Sequence, residues 1–439
     1  MFSKILVANR GEVAVRIIRA CKEMGIETVA VYSEADRNSL PVALADERIC
    51  IGSNAAAESY LNQKNIISAA LATNAEAIHP GYGFLSENAG FAKLCEENGI
   101  VFIGPKSEVI SAMGDKDTSR QLMQQVGVPV VPGTEVLKDA EEAKKYAKEI
   151  GYPLLVKATA GGGGKGIRVV AREEDLEDAF HTASREAESA FGNGEVFLEK
   201  YLTHVRHVEM QILADQQGNI LCLGERDCSL QLNKQKVLEE TPSPVMTEDI
   251  RRKMMDAAVL AAKAANYTNA GTVEFLLAPD GQFYFIEMNT RLQVEHPITE
   301  EISGVDIVKW QIRIACQVPL NMKQEDIRLQ GHAIECRINA RSTGRVDFLH
   351  IPGGGRVHFD TALMQDTVVV PFYDSMLGKL IVHANTREEA IRRMEASLCE
   401  MVIVGVETNI EEQLQLIRSK IFQKVNYDTL ILDKILKKG

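Results

Sequence analysis

The sequence predicts a multidomain protein, α/β at its start and α+β at its end: an N-terminal doubly wound parallel sheet, a central region, and a C-terminal α+β cap. Three observations predict this. The 439 residues exceed what one ordinary hydrophobic core fills. From Ile5 to Ile103, short apolar runs alternate with stretches of helical spacing, the rhythm of βαβ units. From His332 onward the chain becomes strand-rich and closes with helices.

The elements follow in order. Ile5 to Ala8 is an apolar strand, followed by Asn9-Arg10-Gly11-Glu12 and a helix whose apolar positions Val13, Ile17, Ile18, Cys21 and Met24 share one face. Strands over 28–32, 75–79 and 100–103 alternate with helices near 59–72 and 87–97. The glycine fingerprint of dinucleotide folds is missing, so this sheet does not imply NAD. His79-Pro80-Gly81-Tyr82-Gly83-Phe84 follows a strand end, where such sheets carry functional loops.

After Gly114 a helix opens at Asp115-Lys116-Asp117, and Val128 to Gly133, with prolines at 129 and 132, is an extended connection suited to a hinge. A helix over 140–150 and a strand over 154–158 lead to Gly161-Gly162-Gly163-Gly164-Lys165-Gly166, then a strand over 167–170. Glycines between two strands allow close backbone approach to an oxygen-rich ligand, and with Lys157 just ahead they suggest a phosphate lid rather than a merely flexible loop. It is not a Walker A loop, because a strand follows where that motif needs Lys-Ser/Thr and a helix. Glu195 to Leu202 is a strand whose end can offer backbone donors and acceptors to a purine edge. Strands over 207–213 and 220–224 precede Glu225-Arg226-Asp227-Cys228-Ser229, and Lys234-Gln235-Lys236 is expected to bring positive charge into a loop. His204 and His207 lack a nearby third ligand, which disfavours zinc.

The stretch from Glu274 to Glu295 concentrates the chemistry. Two apolar, aromatic-rich runs flank Pro279-Asp280-Gly281, a strong hairpin signal. A turn centred between Asp280 and Gly281 sets Glu274 opposite Glu287. Carboxylates directly opposite on a sheet repel, so a cation is expected between them, and carboxylates with phosphate oxygens are how proteins hold Mg²⁺. Glu287, Asn289, Arg291, Gln293 and Glu295 then recur at every second position, which on an extended backbone puts them all on one face. An amphipathic edge strand with a solvated side would alternate too, but this mixture of donors, acceptors and both charge signs favours a site.

Composition bounds the rest. With 45% apolar and 25% charged residues the chain is that of a globular protein, and its net charge of −12 argues against nucleic-acid or anionic-membrane partners. Eight cysteines without a C-x-x-C pair or framework spacing suggest reduced thiols in the cytoplasm, Cys228 being the one to watch. No export signal and no run of about 18 apolar residues is present.

With these residues assembled, the chain closely resembles the biotin carboxylase branch of the ATP-grasp superfamily, nearly end to end. The resemblance rests on Ile-Leu-Val-Ala-Asn-Arg-Gly-Glu at 5–12, His-Pro-Gly-Tyr-Gly-Phe-Leu-Ser-Glu-Asn at 79–88, Phe-Ile-Gly-Pro at 102–105, Gly-Asp-Lys at 114–116, and Lys157 with its glycine loop. It rests further on Glu-Arg-Asp-Cys-Ser at 225–229, Glu-Met-Asn-Thr-Arg-Leu-Gln-Val-Glu-His-Pro at 287–297, and Tyr-Asp-Ser-Met-Leu-Gly-Lys-Leu at 373–380. The resemblance implies an N-terminal domain over 1–114, an ATP-grasp domain over 115–331 with its lid at about 131–202, and a C-terminal domain over 332–439. It implies ATP contacts from Lys116, Lys157, Gly163, Gly164, Glu199, Lys200, Tyr201, Leu202, His207, Glu274 and Glu287, and Mg²⁺ or Mn²⁺ ligands Glu274, Glu287 and Asn289. Lys236, Arg291, Gln293, the Val294 backbone and Glu295 take the places of the bicarbonate pocket, with Glu295 as the base. Arg337 matches the residue that stabilises the biotin enolate; Arg291, Glu295, Lys236 and Arg337 thus form the expected catalytic set.

Two departures stand out. Leu232-Asn233-Lys234-Gln235-Lys236 replaces the family's common Arg-Arg-His-Gln-Lys, putting Lys234 where an ATP-contacting histidine usually stands. After Ala340 the chain is shorter than the usual pattern, so an altered loop is expected near the biotin entrance or subunit interface. No Met-Lys-Met attachment site occurs in the sequence. The resemblance therefore implies a separate biotin carboxyl carrier protein, carboxyltransferase subunits and a homodimer. The implied activity is the first half-reaction of acetyl-CoA carboxylase, toward malonyl-CoA and fatty acid synthesis, with propionyl-CoA or pyruvate carboxylase as alternatives. Another ATP-grasp ligase or an ATP-binding regulatory subunit is the more remote reading.

Overall fold

The computed structural model describes residues 1–159, 166–191, 193–233 and 235–432. The chain opens with β1 (Lys4–Val7), α1 (Gly11–Glu23), β2 (Glu27–Ser33), α2 (Leu40–Leu44), β3 (Glu47–Gly52), α3 (Gln63–Ala72), β4 (Ala77–His79), α4 (Ala89–Glu97) and β5 (Val101–Phe102). The five strands form the expected parallel sheet, in the order β3-β2-β1-β4-β5. Ile5, Leu6 and Val7 are sealed at its centre, and Val13, Ile17, Ile18 and Cys21 turn one face of α1 onto it. Strand β3 was not expected: of Glu-Arg-Ile-Cys-Ile-Gly only Ile51 is buried, so an edge strand this polar gives little apolar signal. The strand order reverses between β1 and β4, which places a crevice at their C-terminal ends. There Asn9 Nδ2 donates to the carbonyls of Pro80 (2.6 Å) and Tyr82 (2.7 Å), locking the two motif-bearing loops together.

Helices α5 (Ser107–Gly114), unexpected, and α6 (Lys116–Gln125) lead into the lid: α7 (Ala140–Ile150), β6 (Leu154–Ala158), β7 (Ile167–Val170), α8 (Leu176–Phe191) and β8 (Val196–Lys200). Its sheet, β7-β6-β8, is antiparallel and packs with both helices around its own core of Ala143, Ala147, Leu154, Val156, Ala183 and Leu198. Asp115 and Asp139 cap α6 and α7 by accepting from Thr118 N and Glu142 N.

The rest builds on one large sheet. Its strands are β9 (Arg206–Ala214), β10 (Ile220–Leu232), β11 (Gln235–Thr241), β12 (Asn269–Leu277), β13 (Phe283–Asn289), β14 (His332–Asn339), β17 (Val357–Thr361) and β19 (Met376–Ala384), antiparallel in the order β13-β12-β9-β10-β11-β14-β19-β17. The ladder thus continues across residue 331 through the pairing of β11 with β14, Leu238 opposite Cys336. Helix α9 (Glu248–Ala264) packs on β9 and β10. Helices α10 (His296–Ser303) and α11 (Ile307–Ala315) follow β13, and α12 (Arg387–Glu400), α13 (Ile410–Arg418) and α14 (Lys420–Gln423) close the chain. Two short ladders, β15 (Gly344–Arg345) with β18 (Val368–Val369) and β16 (Phe348–His350) with β20 (Val402–Val404), finish the cap. No helix among the described residues is long and apolar enough to cross a membrane.

Two expectations need correction. The alternating segment is strand only to Asn289; it then bends, and Glu295, with φ −81° and ψ 12°, stands at the N-terminus of α10. Lys236 is not in a loop but on β11, opposite Gln231 of β10.

Candidate active site

The hairpin places Glu274 directly opposite Glu287, as expected, by a route the sequence did not disclose. Ala278 N donates to Gln282 O (2.8 Å) and Gly281, at φ +85°, closes a three-residue loop centred on Asp280. That shifts Leu277 opposite Phe283, and an irregularity between Glu274 and Phe275 restores the glutamate pair. Across the next strands Glu274 faces Glu209 and Glu209 faces Arg226, so Glu287, Glu274, Glu209 and Arg226 make one charged row over β13, β12, β9 and β10. A second row, Arg337, Lys379 and Asp360, crosses β14, β19 and β17.

Lys236 joins the first row to the turn before α10. Its Nζ lies 2.6 Å from Glu209 Oε2, 3.0 Å from Glu274 Oε1 and 2.6 Å from Glu295 Oε1. Arg337 reaches the same turn from the other side, Nη2 donating to Glu295 Oε2 (3.0 Å) and Nε to Glu239 Oε1 (2.6 Å). Burial alone would raise the pKa of Glu295, but Lys236, Arg337 and Arg226 outweigh it and hold the carboxylate well below its usual range. Glu239 is pushed up to about 7 by burial and the charge of Glu295, against the pull of Arg337. Cys228 Sγ lies buried 3.8 Å from Glu295 Oε1, and burial beside Glu209 keeps it a thiol.

The other members of the alternating segment converge nearby. Arg291 donates from Nη2 to Asn289 Oδ1 (2.9 Å), from Nη1 to Gln293 Oε1 (2.9 Å) and from Nε to Glu87 Oε2 (2.8 Å). Glu87 also accepts from Thr290 N (3.1 Å), so the loop after β4 orients the bend beyond β13. Buried Gln293 has its Nε2 without a hydrogen-bond partner among the described residues. The Val294 carbonyl accepts from Lys379 Nζ (2.8 Å).

On the outer side, His207 Nε2 lies 2.8 Å from Glu274 Oε2 while its Nδ1 meets Gln231 Nε2 at 2.7 Å. Burial would lower the pKa of His207, yet Glu274 raises it. Lys157 on β6 pairs with Glu199 on β8. The Lys200 and Tyr201 amides donate to the carbonyls of Pro132 and Pro153, fastening the segment that ends at Leu202. Lys116 is largely exposed and 3.8 Å from Glu287 Oε2. His204 turns to Asp428 (3.0 Å) and shares no site with His207. Gly163, Gly164 and Lys234 lie outside the described residues.

The residues fit a hard divalent cation. Glu274 and Glu287 offer facing carboxylates, and ligating atoms of His207, Glu209 and Glu274 lie within 4.8 Å of one another. Asn289 is engaged elsewhere here, its Nδ2 donating to Glu274 Oε1 (2.9 Å). Sequence reasoning missed Glu209, Glu239 and Glu87 as parts of the site. The alternation of His207-Val208-Glu209 placed Glu209 on the face of His207, and Glu87 lies within the motif at 79–88, and those were the available signals; nothing local marked Glu239.

A carboxylate row fastened by Lys236, preceded in the chain by a separate unit that carries Lys157 beside Glu199, is the arrangement of an ATP-grasp ligase. Comparison with known proteins agrees. The family "Carbamoyl-phosphate synthase L chain, ATP binding domain" matches residues 115–323, "Biotin carboxylase, N-terminal domain" matches 1–110 and "Biotin carboxylase C-terminal domain" matches 335–434. Biotin carboxylase 1 of Bacillus subtilis is 53% identical over 99% of this chain and 98% of its own. A pyruvate carboxylase subunit from Methanothermobacter thermautotrophicus is 50% identical over 99% of this chain and 90% of its own. Among solved structures, a Campylobacter jejuni biotin carboxylase complexed with β,γ-ATP matches with TM-score 0.93 at 47% identity, covering 99% of each chain. The biotin carboxylase domain dimer of Hydrogenobacter thermophilus 2-oxoglutarate carboxylase, with MgADP, ADP and bicarbonate, matches with TM-score 0.90 at 49% identity over 99% of this chain and 98% of that one. The chain belongs to the biotin carboxylase family of ATP-dependent ligases.

Proposed function

We propose that the chain carboxylates biotin held on a separate carrier protein, using Mg-ATP and bicarbonate by way of carboxyphosphate. The observation that carries this reading is the position of Glu295, a buried carboxylate gripped on one oxygen by Lys236, which ties it to the acidic row, and on the other by Arg337. A carboxylate held that far down is a weak base toward free bicarbonate. Bicarbonate seated beside Lys236 feels the same ammonium, which lowers its own pKa, so the proton passes to Glu295 between two groups under one cation. Arg291 and the Gln293 amide hold the anion's other oxygens and aim one of them at the γ-phosphate. Glu274, Glu287 and Asn289 would hold Mg²⁺ or Mn²⁺, which would supply charge neutralisation on the phosphates. Lys116, Lys157, His207, the glycine loop with Gly163 and Gly164 and the segment Glu199 to Leu202 are the ATP contacts of this reading, with Lys234 standing where the family usually has an ATP-contacting histidine. The new C–O–P linkage forms as ADP leaves; its breakdown gives CO₂ and phosphate. Biotin's ureido nitrogen loses its proton to that phosphate and attacks CO₂, with Arg337 balancing the enolate charge.

The domain limits we assign are 1–114, 115–331 and 332–439, supported by the three family matches. We assign the chain to the cytoplasm, a homodimer working with a biotin carboxyl carrier protein and carboxyltransferase subunits, acetyl-CoA being the first acceptor to try. Relatives from pyruvate and 2-oxoglutarate carboxylases make those acids the second and third. The test is phosphate release from Mg-ATP with and without bicarbonate and free biotin, on wild type and Glu295→Ala. Release that needs bicarbonate, rises with biotin and collapses in the variant is expected; turnover indifferent to both additives points to a different ligase.

A further inference from the structure

Lys379 is a buried cation that this mechanism leaves unused. It is 0% exposed on β19, directly opposite Arg337 on β14, so two like charges share one rung of the sheet. Its ammonium lies 2.8 Å from the Val294 carbonyl, 3.1 Å from Glu12 Oε1 and 3.8 Å from Asp360 Oδ2. Glu12, on α1 of the N-terminal unit, also accepts from the Tyr82 hydroxyl in the loop after β4. Val294 and Glu295 are the central residues of a turn that His296 N closes on Gln293 O (3.4 Å), and no side chain caps α10 at that point. The two cations of one rung therefore grip the same two residues: Arg337 the Glu295 carboxylate, Lys379 the peptide that carries it.

We propose that Lys379, anchored by Glu12, is a positioning residue that fixes the Val294–Glu295 turn and so aims the Glu295 carboxylate. A buried Lys–Glu pair is a poor fastener between units, since apolar side chains of like volume hold them at least as well. A donor at this place satisfies the Val294 carbonyl and holds the middle of a turn whose ends are tied by His296 Nδ1 to Gln293 O (2.8 Å). Burial works against the charge on Lys379, but Glu12, Glu335 and Asp360 outweigh it, so the ammonium persists at neutral pH. The turn is thereby built from three parts of the chain: helix α1, the bend after β13, and β19.

This inference rests on the carboxylase reading for its kinetics, so the test also reads the turn directly. The double variant Lys379→Met with Glu12→Gln removes both charges together and leaves neither buried alone. Its turnover in bicarbonate-dependent phosphate release is expected to fall roughly 10²-fold, the scale of an ångström-sized misplacement, with KM for ATP unchanged. Amide hydrogen exchange over residues 293–297 should quicken by more than about tenfold while α12 keeps its protection. Turnover within a factor of about three of wild type, or unchanged exchange over 293–297, overturns the proposal. Should the double variant not fold, Glu12→Gln alone decides: a fall of about tenfold in turnover is expected from an unanchored Lys379, and wild-type turnover overturns the idea. If wild type itself shows no bicarbonate-dependent release, the carboxylase reading fails, and the exchange measurement still decides the role of Lys379.

Discussion

The sheet carries two like-charged rungs, Glu274–Glu287 and Arg337–Lys379, and they are settled in opposite ways. Both cations are enclosed and answered by the chain itself: Arg337 by Glu239 and Glu295, Lys379 by Glu12 and Asp360. In the acidic rung Glu274 is answered by Lys236 and His207, but Glu287 keeps a side chain 38% exposed and meets only the loosely placed Lys116 among the described residues. Like charges opposite one another on a sheet thus call for a ligand only where the chain has not supplied the counter-charge. The acidic rung is open to an external cation; in the basic rung Lys379 is sealed and Arg337 alone keeps a partly exposed side chain.

The largest way to test this contrast is at the point where both rungs meet. Glu295→Ala releases Lys236 and Arg337 together and should cut bicarbonate-dependent phosphate release by on the order of 10³-fold, measured by continuous phosphate assay. Next, Glu287→Gln should lower turnover about 10²-fold and move the Mg²⁺ titration midpoint upward, whereas Arg337→Met should leave that midpoint in place and abolish the stimulation by biotin. A midpoint that moves equally in both variants would erase the distinction between the rungs.

A smaller effect concerns Glu240, which turns to the other face of β11 from Glu239. His332 Nε2 (2.7 Å), Arg387 Nε (2.7 Å) and the Tyr427 hydroxyl surround it. Burial would raise its pKa, but His332 and Arg387 bring it from 4.5 down to about 2. A carboxylate lower in the folded state stabilises it above pH 4.5, and that stability is lost as pH falls toward 2. The shift corresponds to about 3 kcal/mol. Urea unfolding of Glu240→Gln should show a deficit of that order at pH 7 that vanishes near pH 2. Smallest of all, Lys116→Ala should raise KM for ATP by less than about tenfold and leave the melting temperature unchanged, because this lysine is 83% exposed.

Much of the site was legible because its chemistry is concentrated. The Asp280-Gly281 signal located the hairpin, and its pairing of Glu274 with Glu287 holds only because an irregularity after Glu274 offsets a loop one residue longer than expected; the alternation gathered Arg291, Gln293 and Glu295. These signals were not enough to show that the backbone leaves the sheet after Asn289, since the polar side chains converge just as well on a bend. Lys236 was misplaced because a glutamine and two lysines resemble a surface loop, and only the ladder with β10 reveals that its ammonium is enclosed by carboxylates. Glu239 and Glu87 stayed hidden because their partners are distant in sequence: 98 residues separate Glu239 from Arg337 and 204 separate Glu87 from Arg291. Edge strand β3 stayed hidden for the opposite reason, having too little apolar surface to mark itself.

The ladder that runs on through β11 and β14 bears on how such enzymes can be taken apart and recombined. A cut near residue 331 separates two sequence families but splits one sheet, baring the hydrogen-bonding groups of Leu238, Glu239, Glu240 and Thr241 on one fragment and of Ala333 to Cys336 on the other. Such freshly made edges pair with whatever strand they meet. A chimera that exchanges the C-terminal part will therefore succeed or fail on whether the incoming strand matches the register of β11, and a swap that carries β11 along with β14 is the better unit of exchange.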